Sequence, residues 1–181
     1  MRKTTILQSL ILIMTVLASG LFAQIQEVRV EVPGMTWGLW AYGVKKTLKR
    51  LSGVQEAEVR LAQQDAKIIL KPGEALNPEL LRDGVRKADF TAQKIYLTVS
   101  GELIAKDDSL MLKVPDSGQI FLLLSGTEQE TEEANPLTQL RNVSEKGQKI
   151  VVVSGEVPEN AKTRLKILVE KYELVFESGD K

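Results

Sequence analysis

The sequence predicts an exported α+β protein built of two modules behind an N-terminal leader. Three observations carry this expectation. Arg2 and Lys3 precede an uncharged apolar stretch that ends in small residues, residues 26–98 alternate between strand-type and helix-type hydrophobic periodicity, and the remainder is dominated by short apolar runs separated by turn residues. The chain of 181 residues carries 24 basic and 24 acidic side chains and no Cys or His. That composition excludes disulfides, thiolate nucleophiles, Cys-based metal centres and imidazole chemistry. A balanced charge also lacks the basic excess of a nucleic-acid binder, so no nucleic-acid partner is expected.

The leader reads as residues 1–23. Ile6 to Ala18 is strongly apolar, and Ala18, Ser19, Gly20 and Ala23 supply a small-residue exit, the pattern of a secretory signal peptide. The competing reading is an uncleaved anchor, because Thr4 to Ala23 is 20 residues long and a hydrocarbon core is about 30 Å thick. Either way the folded part is expected outside the cytoplasm, periplasmic or extracellular, with membrane contact expected only if the leader stays attached.

Residues 24–99 form the first expected module. Val28, Val30 and Val32 alternate on one strand face, and Pro33-Gly34 ends the strand. Trp40, Val44, Leu48 and Leu51 fall on one helical face, and Gly53 stands where a helix stops. Val54 to Leu61 alternates again, Gln63-Gln64-Asp65 turns, and Ala66 to Leu70 returns as a third strand. Asn77 and Pro78 predict the cap and first turn of a second helix, buried through Leu81, Val85 and Ala88. Phe90 to Val99 reads as the last strand. The order βαββαβ is that of a ferredoxin-like sheet with both helices on one face.

Residues 101–181 form the second expected module, separated at Val99-Ser100-Gly101 by too little chain for a flexible linker. Glu102–Ala105, Ser109–Val114 and Gln119–Leu124 read as short strands between the turns Asp107-Asp108 and Pro115-Asp116-Ser117-Gly118. Gly126 to Pro136, with Glu128, Glu130, Glu132 and Glu133, reads as a solvated loop or short helix. Gly147 to Glu156 holds a buried strand, and Leu165, Ile167, Val169, Tyr172, Leu174 and Phe176 a strand or strand pair, with a helix starting near Glu159 as the alternative. Five short strands suggest a small barrel. The phrase Lys149-Ile150-Val151-Val152-Val153-Ser154-Gly155-Glu156-Val157 is similar to the strand-and-glycine pattern of exported OB-like barrels.

Gly34-Met35-Thr36-Trp37-Gly38-Leu39-Trp40 resembles the GMTCxxC loop of heavy-metal-associated domains, and the helix residues Val44, Leu48 and Leu51, the Gly53-Val54 pair and Phe90 agree with it. The resemblance implies a domain that binds a soft ion through two cysteines and passes it to a protein partner. Here Trp37 and Trp40 stand at the two cysteine positions, and an indole N–H only donates. Metal handling by ancestry is therefore expected without the thiolates that perform it, and no cofactor. Lys45, Lys46, Lys49 and Arg50 resemble the basic face by which some of these domains meet acidic partners; the alternative is a solvated helix face.

The expected function is a non-catalytic binding or adaptor protein of the cell envelope with a protein partner, since no nucleophile–base pair or phosphate loop stands out. The competing reading is a weak Cu(I) or Ag(I) site made of the Met35 thioether and the indoles of Trp37 and Trp40. Met35 and Trp40 are expected in the core. Exposure of the indoles separates a docking surface from simple filling of a vacated site.

Overall fold

The computed structural model describes residues 24–126, 135–145, 150–159 and 165–175. The leader, the acidic run Glu128–Glu133, Lys149 and Phe176 lie outside these residues. The first module holds β1 (Ile25–Glu31), α1 (Gly38–Lys49), β2 (Val54–Arg60), β3 (Asp65–Leu70), α2 (Pro78–Arg86) and the start of β4 (Ile95–Lys106). β5 (Ser109–Lys113), β6 (Ile120–Ser125), α3 (Pro136–Glu145), β7 (Ile150–Glu156) and β8 (Lys166–Leu174) follow.

The βαββαβ order is present. β1 lies between β3 and β4, antiparallel to both, and β2 closes the outer edge on β3. One face of these strands is apolar because side chains alternate along a strand. Val28, Val30, Ile68, Ile95 and Leu97 on that face join Val44 and Leu48 of α1 and Leu81 and Val85 of α2 in a single core. Asn77 caps α2 by accepting from the Leu80 amide at 3.1 Å, with Pro78 at the first helical position.

β4 runs unbroken through Val99, Ser100 and Gly101. Its first half pairs with β1, its second half with β5, and its opposite edge with β7 from Tyr96↔Glu156 to Glu102↔Ile150. The pairings β4–β5–β6–β8–β7–β4 close a five-stranded ring, antiparallel except for β6 against β8. Leu103, Leu112, Phe121, Val151, Val153 and Ile167 are buried. The small barrel expected from the spacing is thus built, and one strand serves both modules because its period-two burial continues across Gly101.

Two elements differ from expectation. The strand expected from Phe90 begins at Ile95; Gln93 and Lys94 still bond the backbone of Glu31 at 2.8 and 2.9 Å, and Arg82 Nη1 donates to the carbonyls of Ala92 (3.5 Å) and Gln93 (2.9 Å). No element was expected over 137–146, yet α3 occupies Pro136–Glu145, started by Asn135 accepting from the Leu137 amide at 2.9 Å and buried through Leu140. Of the two strand readings of the C-terminal apolar run, the single strand is the one present, β8.

Candidate functional site

The loop between β1 and α1 is held from beneath. Gly34 adopts φ +87, a conformation that favours glycine, and its amide donates to Gln64 Oε1 at 2.9 Å. Gln64 is itself left-handed (φ 51) and its carbonyl accepts from the Val32 amide at 2.8 Å. Next to it, buried Asp65 accepts from Arg60 Nε at 2.8 Å and Nη2 at 2.7 Å, a bidentate pair. That hydrogen bond raises Arg60 above the ordinary arginine value.

Above this base the chain turns outward. Trp37 is extended (φ −130), and its carbonyl accepts from the amides of Trp40 and Ala41, which starts α1 without a side-chain cap. Indole cannot cap, since it offers no acceptor. Trp37 is 69% exposed, Leu39 68%, Tyr42 62% and Trp40 47%. Trp40 was expected in the core on its spacing from Val44. It sits instead at the rim and meets Phe90 edge-on at 6.1 Å between ring centroids. Thr36 and Gly34 are exposed. Met35 is 1% exposed and lies in the core.

Lys45, Lys46, Lys49 and Arg50 are exposed along the outer side of α1, and the chain has no Asp or Glu between residues 32 and 55. Tyr42, Lys46 and Lys49 follow each other at i, i+4 and i+7, so the aromatic first turn and the basic later turns share one face. Leu39, Tyr42 and Phe90 were missing from the sequence-derived site. A helical wheel anchored on Val44 and Leu48 places Leu39 and Tyr42 outward, which is the signal that finds them.

These donors do not fit a soft metal ion. The Met35 sulfur is enclosed with the core, the indoles offer N–H donors only, and the described residues contain no group of three or more His, Cys, Asp or Glu able to hold a metal. A concavity of about 240 Å³ lies away from this loop around Arg29, Tyr96, Thr98, Ser154 and Lys171. Its floor is already satisfied: Arg29 stacks over Tyr96 at 4.0 Å, and the hydroxyls of Thr98 and Ser154 bond at 3.0 Å.

Residues 29–91 match the family model described as the heavy-metal-associated domain. Solved structures similar to the chain include a copper-binding domain from HMA7, a P-type ATPase, at 26% identity over 38% of this chain and 92% of that one, with a TM-score of 0.35. The N-terminal domain of a potential copper-translocating P-type ATPase from Bacillus subtilis is 25% identical over 38% and 85% of the two chains, with a TM-score of 0.34. Oxidized MerP from Ralstonia metallidurans is 24% identical over 38% and 93%, with a TM-score of 0.35. Comparison with curated proteins finds no match.

Proposed function

We propose that this protein, whose residues 29–91 match the heavy-metal-associated domain, is an exported, non-catalytic binding or adaptor module of the cell envelope that docks through its loop rather than chelating with it. The observation that carries the reading is the exposure of Trp37 and Trp40 at the positions of the family's two cysteines. Indoles that merely filled a vacated site would be buried. Instead four large apolar side chains stand in solvent on a loop braced by Gln64 and on the helix it opens. Trp and Tyr supply large contact area at low entropic cost, which suits docking.

Export rests on the charged, apolar and small-residue segments of residues 2–23. The family's metal-handling origin survives in the scaffold. The Cu(I) or Ag(I) alternative is left with one thioether, and that thioether is inside the core.

The test is fractionation of cells expressing the chain and its Trp37→Ala/Tyr42→Ala variant. The reading expects envelope association of the exported chain and its loss in the variant, with far-UV circular dichroism unchanged. Equal behaviour of the two proteins removes the loop as the working surface.

A further inference from the structure

We infer that the surface engaged by the loop and α1 is an anionic lipid interface, into which Trp37, Leu39 and Tyr42 insert while Lys46, Lys49 and Arg50 meet the headgroups. This rests on the reading of the loop as the working surface and names its occupant.

Shape is the first observation. At Gly34, Gly38 and Gly43 a Cβ would meet nothing within 4 Å beyond its own chain neighbours and helix backbone. The outer side of the loop and of the start of α1 is therefore open, while its inner side rests on Gln64, Met35 and the core. The four most exposed large apolar residues within this tip are Trp37, Leu39, Tyr42 and Trp40. Two indoles and a phenol are the side chains that settle at a membrane–water boundary, with an apolar body and a polar end.

Charge is the second observation. Every ionisable side chain between residues 32 and 55, apart from Tyr42, is basic. Lys46, Lys49 and Arg50 follow Leu39 and Tyr42 along the outer face of the helix, one to three turns on, so all five can touch a plane at once. Lysine and arginine stems reach along an apolar surface while their heads stay in water. An amphipathic helix lying in the interface combines apolar insertion with attraction to anionic headgroups in this way. Overall charge balance hides the feature, because the acids are elsewhere in the chain. A protein partner would need a socket with an acidic rim to match the same tip; it is the competing outcome.

The test uses the chain from Gln24 onward, which contains every described element and lacks the apolar leader that would bind vesicles by itself. Sedimentation and tryptophan emission are measured with vesicles of phosphatidylcholine alone and of phosphatidylcholine mixed with phosphatidylglycerol. The proposal expects binding and a blue-shifted emission only with the anionic vesicles, weakening as salt is raised. Lys46→Gln with Lys49→Gln should lower partitioning about 30-fold, from roughly 1 kcal/mol per basic residue. Trp37→Ala with Leu39→Ala should lower it about tenfold or more. Partitioning that ignores both pairs of changes overturns the proposal. So does binding to isolated envelopes that protease treatment of the envelopes abolishes, with none to protein-free vesicles; that result assigns the tip to a protein and leaves the binding-module reading standing. Absence of both associations overturns the two readings together.

Discussion

The Trp40 indole meets the Phe90 ring edge-on, with centroids 6.1 Å apart and planes inclined at 61°. This contact joins the first turn of α1 to the segment that leads into β4, and it divides the roles of the two indoles. Trp40 has a ring partner at the rim of the core; Trp37, at 69% exposure, projects beyond it. Truncating Trp40 to Ala is expected to cost about 1 kcal/mol of stability through the lost aromatic pair and its packing. Trp37→Ala is expected to stay within about 0.5 kcal/mol. Urea unfolding followed by far-UV circular dichroism reads both, and equal costs would contradict this division.

Asp65 holds the base of the loop. Its buried carboxylate accepts two bonds from Arg60 and lies 3.6 Å from Arg29. Asp65→Ala removes charge-assisted bonds and leaves the arginines without it, at an expected cost of about 2 kcal/mol. Both guanidiniums keep about a third of their side-chain exposure, so the loss stays below that of a fully buried pair. A denaturation midpoint unchanged by Asp65→Ala would show that the loop is braced by Gln64 alone.

Gly155 closes the barrel. A Cβ there would stand 2.1 Å from the Leu168 carbonyl oxygen, where the β7–β8 register shifts between Ser154 and Gly155. Backbone cannot yield as a side-chain end does, so Gly155→Ala is expected to destabilise by about 3 kcal/mol. Gly43→Ala, facing open space on α1, is expected to be neutral or stabilising and serves as the control.

Lys94, just ahead of β4, pairs with Glu156 of β7 at 2.9 Å, and its hydrogen bond to that carboxylate raises it above the ordinary lysine value. A raised folded-state value means that the pair contributes fully at pH below the ordinary lysine range. The contribution disappears as pH climbs through the raised value. The melting-temperature difference between the native chain and Lys94→Met should therefore shrink in strong alkali; a difference that grows there would reverse the assignment.

What was legible in the sequence followed from burial on one side. β1 alternates because one face of it packs under α1, and α2 announces itself through Asn77 and Pro78. Trp40 was misplaced because helical spacing reports direction from the axis and not what covers a side chain at the end of the helix, where Phe90 meets only one side of the indole. α3 was missed although its signals were present: Asn135-Pro136 marks its start, and Leu137, Leu140 and Val143 share one face at i, i+3 and i+6 and pack on the core. Gly101 looked like a boundary. It is instead a close approach within β4, since a Cβ there would meet the Lys113 carbonyl oxygen at 2.6 Å.

Within residues 29–91, which match the heavy-metal-associated domain, Trp37 and Trp40 stand at the start of α1 and no thiol is present. Replacing Trp37 and Trp40 together by Cys should place two thiols one helical turn apart at the start of α1, where the helix dipole favours thiolate. The most direct measurement is a titration of the native chain and this double variant with Cu(I) and Ag(I), followed by native mass spectrometry. One ion per double-variant chain is expected, and no complex of the native chain at micromolar ion. A stoichiometric native complex, weakened by Met35→Leu, would contradict this expectation.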